Sequence, residues 1–87
     1  MDNCEKFNER WKDHLEKGHY GMTIDDPDVI SYMDYNFKIL KSINPNFTFS
    51  QIKLKFGSAR VYVEKAPNQQ CSVWEQQINK IINENRS

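Results

Sequence analysis

The sequence predicts an α+β fold, a small two-layer sandwich in the order helix, helix, β-hairpin, helix, with a third short strand at 20–24 as an option. Two alternating apolar runs flank Gly57-Ser58 and predict the hairpin. Three other stretches repeat apolar residues at helical spacing and predict the helices. A chain of 87 residues holds one core, so we expect a single domain over residues 1–87.

A first helix is predicted at the start of the chain, where Asp2 and Glu5 stand three residues apart as in a capping box. Apolar residues follow at helical spacing, namely Cys4, Phe7, Trp11 and Leu15. We expect this helix to run to about Lys17, with Gly18 as the glycine that ends it.

The second helix has the clearest start signal in the chain. Asp26 is the predicted N-cap and Pro27 the first helical residue, and the helix should end near Ser42. Its predicted buried stripe is Ile30, Met33, Phe37 and Leu40, widened by Tyr32, Tyr35 and Ile39. Just before this helix Met22 and Ile24 alternate with polar residues, which is the basis of the optional third strand.

The hairpin in residues 51–65 should fold about a type II′ turn at Gly57-Ser58. Its predicted apolar pairs are Phe56 with Ala59, Leu54 with Val61, and Ile52 with Val63. Its predicted polar pairs are Lys55 with Arg60, Lys53 with Tyr62, and Gln51 with Glu64. Phe47 and Phe49 are out of phase with the strand that follows, which predicts a bulge near Ser50.

A last helix is predicted from a second capping-box pattern, Ser72 with Glu75. Trp74, Ile78 and Ile81 then recur at helical spacing, with Ile82 beside them. These residues should form the buried face of the helix.

Charge and cysteine content exclude several classes of function. The chain has 12 Lys and Arg and 12 Asp and Glu, so its formal net charge is zero and any electrostatic partner must bind a local patch. The only cysteines, Cys4 and Cys71, do not make a disulfide framework. With no apolar run of the roughly 18 residues that a membrane helix needs, we expect no membrane partner and a cytoplasmic protein with reduced thiols.

The polar face of the hairpin is the leading candidate site, formed by Lys53, Lys55, Arg60 and Tyr62, with Tyr20 as a further contact. We expect a non-catalytic binding module with a protein partner, like the small inhibitors and regulators that phages and mobile elements encode. Charge reversal at Lys55 and Arg60 together should then abolish activity. One alternative is a nucleotide or nucleic acid on the same face. Another is a homodimer formed through an exposed hairpin edge.

A small metal-dependent enzyme is the third alternative, and it has the least support. His14 and His19 could bind a metal with Asp25 or Asp26, but five residues separate them and no motif supports the site. The acidic cluster that Asp28 completes is explained by a helix start, because acids there complement the helix dipole.

Cys4 and Cys71 lie near predicted helix starts, which would lower the pKa of a thiol. Neither lies in a nucleophile motif. We therefore expect no enzyme activity, no cofactor and no metal.

Overall fold

The computed structural model describes residues 1–86, and it has the predicted α+β fold. Its elements are, in chain order, α1 (Asn3–Arg10), a 3-10 turn (Lys12–His14), β1 (Gly21–Met22), α2 (Pro27–Ile43), β2 (Thr48–Lys55), β3 (Ser58–Glu64) and α3 (Gln70–Arg86). The sheet order is β1-β2-β3, with β1 parallel and β3 antiparallel to β2. α2 is the crossover that a parallel pair requires, and β1 confirms the optional third strand.

The helices form the second layer of the sandwich. α1 contacts β1, α3 contacts β3, and α2 contacts both of the other helices. Met22, Ile52 and Val61 form one buried row across the three strands, and alternate residues face away from the helices. One side of the sheet is therefore left uncovered by helices.

Aromatic rings fill much of the core between the layers. The Phe37 ring lies 5.4 Å from Phe7, 5.0 Å from Phe49 and 5.5 Å from Trp11, measured between centroids. These tilted and edge-on geometries are the favourable ones for aromatic pairs. A small domain thus uses large side chains to build its core.

α1 begins with the predicted capping box. The Glu5 N–H donates to Asp2 Oδ1 at 2.8 Å, and the Asp2 N–H donates to Glu5 Oε1 at 3.5 Å. Both bonds satisfy backbone donors that an uncapped helix would leave free.

The predicted end of the first helix is wrong, because α1 stops at Arg10 rather than near Lys17. Leu15 forms a parallel bridge with Phe49, and the Glu16 N–H donates to the Phe49 carbonyl at 2.8 Å. Pairing with β2 requires extended backbone here, so the sheet overrides the helical pattern.

α2 matches its prediction closely. Asp26 Oδ1 accepts from the N–H groups of Asp28 at 2.9 Å and Val29 at 3.3 Å, and the helix ends at Ile43. The predicted stripe Ile30, Met33, Phe37 and Leu40 is buried. Its predicted widening is wrong at Tyr35 and Ile39, which are exposed.

The predicted hairpin register is wrong by two residues, while the faces are right. The turn is Phe56-Gly57 rather than Gly57-Ser58, with φ of 54° and 77° as in a type I′ turn. The observed pairs are Leu54 with Ala59, Ile52 with Val61, Lys53 with Arg60, and Gln51 with Tyr62. A shift of two keeps every side chain on its face.

The end of the helix layer explains this shift. Leu54 is already 39% exposed and Phe56 is 97% exposed, so a longer strand would bury no further apolar surface. The predicted bulge is confirmed, because the register changes between Phe49 and Gln51. Val63 consequently lies opposite Phe49 instead of Ile52.

α3 begins at Gln70, two residues before the predicted cap at Ser72. Ser72 is an exposed residue within the helix, and Glu75 accepts a hydrogen bond from β3 rather than completing a capping box. The predicted buried face is confirmed at Trp74, Ile78 and Ile82, and Ile81 is partly buried against the core.

Side chains from the helices cover both edges of the sheet. Three α3 side chains bond to alternate backbone groups of β3: Asn79 to the Ala59 N–H at 2.8 Å, Glu75 to the Val61 N–H at 2.9 Å, and Cys71 to the Val63 carbonyl at 3.6 Å. On the β1 edge, Asn8 accepts from the Met22 N–H and donates to the Met22 carbonyl. These bonds limit strand addition along β3 and at β1. β1 pairs with β2 only at Gln51 and Ile52, and β2 continues to Lys55.

Candidate functional site: the outer hairpin face and tip

The uncovered side of the hairpin carries Lys53, Lys55, Arg60 and Tyr62, which we call the outer hairpin face. Lys53, not Lys55, lies opposite Arg60, and Lys55 lies opposite Ser58 at the turn. Lys53 Nζ is 5.8 Å from the centroid of the Tyr62 ring. The structure thus brings together the four hairpin residues that the sequence predicts as a site.

The cations of the outer hairpin face are not neutralised. Arg60 Nη1 donates to Ser58 Oγ at 3.3 Å and to the Ala59 carbonyl at 3.2 Å, and these acceptors are uncharged. Within residues 1–86, neither Arg60 nor Lys53 nor Lys55 forms an ion pair. Like charges directly opposite each other in a strand pair are unfavourable, so this face is open to an anionic group.

The hairpin tip adds an aromatic residue that the sequence prediction missed. Phe56 was expected on the apolar face beside Ala59, but it occupies the first position of the turn and is 97% exposed. Its φ of 54° lies in the left-handed region, where a bulky residue is an outlier. The signal in the sequence is Gly57, which suits the second position of a type I′ turn as well as the first position of type II′.

Tyr20 lies apart from the other predicted site residues. It is exposed in the loop before β1, at the opposite edge of the sheet from Tyr62, and its carbonyl accepts from Asn8 Nδ2 at 3.3 Å. Within residues 1–86 no hydrogen bond or ring contact joins the Tyr20 side chain to the hairpin cations. It is not part of the same site.

The far end of the hairpin has the opposite charge. An open cavity of about 320 Å³ is lined by Glu16, Ser50, Tyr62, Glu64 and Cys71 among others. Glu16 Oε1 accepts from the Thr48 hydroxyl at 3.3 Å. Two carboxylates, Glu16 and Glu64, therefore line this end of the hairpin.

The two histidines do not converge on a metal site. His14 Nδ1 lies 2.9 Å from the Phe47 carbonyl oxygen, and the His14 ring stacks on Phe47 with centroids 4.1 Å apart. His19 Nε2 lies 3.6 Å from Glu16 Oε2. Across residues 1–86, no three His, Cys, Asp or Glu side chains are grouped so that they could hold a metal ion. Asp26, the other candidate ligand, caps α2.

The thiols are less acidic than the sequence suggested. Burial raises the pKa of Cys4, and the nearby Asp25 and Asp2 carboxylates raise it further. Burial also raises the pKa of Cys71, and this outweighs the lowering by the backbone of Val63. The expectation that a helix start lowers these pKa values is therefore wrong.

A cluster around Asp34 joins α1 to α2 and has no counterpart in the sequence prediction. Asp34 Oδ1 accepts from Arg10 Nε at 2.7 Å and from Trp11 Nε1 at 2.9 Å, and Lys38 Nζ is 3.2 Å from Asp34 Oδ2. Burial opposes ionisation of Asp34, but these three donors outweigh it and lower the pKa of the carboxyl. The carboxylate of Asp34 is fully engaged by these donors, which gives the cluster a structural role.

No family model, curated protein or solved structure matches the chain. No helix in residues 1–86 has the length and apolar character needed to cross a membrane. The function is therefore argued from the site.

Proposed function

We propose that this protein is a non-catalytic binding module that docks its hairpin tip and outer hairpin face onto an acidic surface of a partner protein. The observation that carries this proposal is Phe56, a fully exposed aromatic side chain in a left-handed turn position. Three unpaired cations, Lys53, Lys55 and Arg60, lie beside it or on the adjoining face.

The left-handed backbone conformation of Phe56 destabilises the isolated protein. A non-glycine residue in the left-handed region costs about 1–2 kcal/mol, and asparagine would suit this turn position better. An exposed aromatic ring recovers this cost when it enters a pocket on a partner, where aromatic residues are typical anchors.

The cations have a complementary role. Because the net charge is zero, long-range attraction must come from a local patch. Lys53, Lys55 and Arg60 would steer an acidic partner surface to the tip and fix its orientation. A small chain acting in this way would serve as an inhibitor or regulator, in a cytoplasm that keeps Cys4 and Cys71 reduced.

Nucleic acid is the second candidate, because Tyr62 with Lys53 and Arg60 also offers a stacking ring beside cations. The two candidates differ in salt dependence. Binding that neutralises three phosphates weakens with a log–log slope of about −2 to −3 against salt concentration. A protein interface anchored by Phe56 should have a shallower slope.

The test is a comparison of tagged wild-type protein and Phe56→Asn in quantitative pull-downs from the host cell, followed by affinity measurement with each purified partner. We expect Phe56→Asn to weaken binding by about 30-fold or more, the range of an interface hot spot. Tyr35→Asn removes another exposed aromatic side chain, from α2, and serves as the matched control.

Two further variants test the charges. Lys53→Glu, and the pair Lys55→Glu with Arg60→Glu, should each reduce the association rate and its dependence on salt. Equal capture of every partner by the wild type and Phe56→Asn would overturn the proposal. If single-stranded oligonucleotides bind with the steep salt dependence given above, the outer hairpin face would be assigned to nucleic acid instead.

A further inference from the structure

The helix layer has a second seam on its outer side. α2 and α3 run antiparallel: Asn85 Nδ2 donates to Asp28 Oδ2 at 3.0 Å at one end, and Ile43 lies beside Trp74 at the other. We define the helix seam as Tyr32, Asn36, Ile39 and Ile43 of α2 with Gln70, Val73, Gln77 and Ile81 of α3. These positions recur every three or four residues, like the contact positions of packed helices.

The helix seam is only partly covered by the chain itself. Ile39 is 43% exposed, Ile43 65% and Val73 53%, so three large apolar side chains meet solvent on adjacent helices. Contiguous exposed apolar surface on a small protein commonly marks an interaction site.

The buried indole N–H of Trp74 lies near the helix seam. Leu40, Ile43 and Trp74 line a cavity of about 40 Å³ between the helices. Within residues 1–86, Trp74 Nε1 is buried and has no hydrogen-bond acceptor. Buried donors are normally hydrogen-bonded, so the packing of α2 against α3 is incomplete beside the seam.

We propose that the helix seam is the interface between two copies of this chain. In the dimer, α2 and α3 of each copy would pack against the same helices of the other, as a four-helix arrangement. This inference is independent of the proposed function, which uses the opposite layer of the fold.

Charge and chemistry favour a second copy as the occupant. A two-fold interface places each patch against itself, so any charge near the axis meets its own sign. None of the eight seam residues is Lys, Arg, Asp or Glu. Their polar members are three amides and one phenol, which donate as well as accept and so can pair with their own kind.

Two properties of the whole molecule are also consistent with a dimer formed through the helix seam. Zero net charge gives no long-range repulsion between copies. Asn8 bonds to the backbone of β1, and Glu75 and Asn79 bond to that of β3, which disfavours strand addition at these positions.

The test is sedimentation velocity of the wild type, Ile43→Lys and Val73→Glu between about 1 μM and about 0.5 mM, which covers weak dimer affinities. The wild type should form a dimer as concentration rises, and each seam variant should weaken it by about tenfold or more. Lys41→Glu, on the side of α2 that lines a cavity with Trp11 and His14, should leave the dimer unchanged. Both seam positions are exposed, so these variants should fold.

Each other outcome overturns the inference. The wild type could stay monomeric throughout, or the dimer could survive both seam variants. A monomeric wild type whose capture of another protein is lost in Ile43→Lys would assign the seam to that protein instead. Phe56→Asn should still dimerise, so failure of the hairpin proposal and failure of this one give different results.

Discussion

Asn8 is the side chain that holds β1 in the sheet. Its Oδ1 accepts from the Met22 N–H at 2.8 Å, and its Nδ2 donates to the Met22 carbonyl at 3.0 Å. These bonds replace a fourth strand. They also require Gly21, because a Cβ at that position would lie 2.9 Å from Asn8 Cγ, closer than real contacts allow.

Gly21→Ala should therefore destabilise the protein by about 2–4 kcal/mol, from the left-handed φ of 69° and the displaced Asn8 bonds. The measurement is urea unfolding followed by circular dichroism. Gly18→Ala is the matched control: its φ is 84°, but a Cβ there meets nothing within 4 Å. It should cost only the left-handed strain, about 1–2 kcal/mol. Equal losses would show that the close approach to Asn8 is unimportant.

Asp34 makes stability depend on pH. Its pKa is lowered in the folded protein, despite burial, by the bonds from Trp11, Arg10 and Lys38. Because this pKa is lower in the folded protein, ionised Asp34 stabilises the fold at pH values above its pKa in the unfolded chain, which is near 4. That contribution is lost as the pH falls through the folded value.

Asp34→Asn should lower the free energy of unfolding by about 1–2 kcal/mol at pH 7, because hydrogen bonds to a charged group are lost. The amide oxygen can still accept from Trp11 Nε1, so the fold should be kept. Urea unfolding of both proteins between pH 7 and pH 3 should show the difference shrinking as the pH falls. A constant difference would mean that the charge of Asp34 is not what matters.

At the scale of elements, α3 and β3 are matched in length as well as in chemistry. Four helical residues rise about 6.0 Å and two strand residues about 6.7 Å. This match lets Cys71, Glu75 and Asn79 reach alternate backbone groups of β3. The side chains of α3 thus bond to the backbone of β3 where a neighbouring strand would otherwise pair.

Glu75→Ala should cost about 1–2 kcal/mol, because it leaves the part-buried Val61 N–H without its acceptor. Hydrogen exchange at that amide should become faster, and Glu75→Gln should restore protection through its amide oxygen. Gln76→Ala, on the exposed side of the same helix, is the control. Unchanged exchange at Val61 in Glu75→Ala would contradict this account of the β3 edge.

The hairpin shows a conflict between stability and the proposed binding. Phe56→Asn places a favoured residue in the left-handed turn position and should stabilise the isolated protein by about 0.5–1 kcal/mol. Phe56→Ala removes the ring but keeps the unfavourable φ, so it should give no such gain. Thermal unfolding of the two variants measures the difference. A destabilised Phe56→Asn would show that the ring supports the fold.

On the scale of the whole molecule, the two proposed surfaces lie on different layers. The outer hairpin face is on the uncovered side of the sheet, and the helix seam is on α2 and α3. A dimer would therefore present two hairpin tips, and the tips would gain from avidity on a partner with repeated sites.

Phe56→Asn and Ile43→Lys should accordingly have separate effects. The first should lose partner binding and keep the dimer, and the second should lose the dimer and keep the intrinsic affinity of each tip. Light scattering and calorimetry on the same two samples measure both properties. Loss of both properties in either variant would mean that the surfaces are coupled.

Local signals in the sequence predicted most of the elements. Asp2 and Asp26 cap the helices they were expected to cap. The change in the apolar alternation after Phe49 correctly predicted the β-bulge. The candidate site was predicted less well. Its four hairpin residues share one face, but Phe56 was missed, since its exposure depends on where the helix layer ends.

Capping, periodicity and alternation act over a few residues, so local patterns sufficed to predict the fold class, the helix starts and the polarity of each sheet face. Local patterns did not predict where α1 ends, which residues pair across the hairpin or what bonds to the sheet edges. Each of these depends on contacts between distant segments, such as Glu16 with Phe49 and Glu75 with Val61. Burial between the layers, rather than local preference, left Phe56 in solvent and the helix seam uncovered.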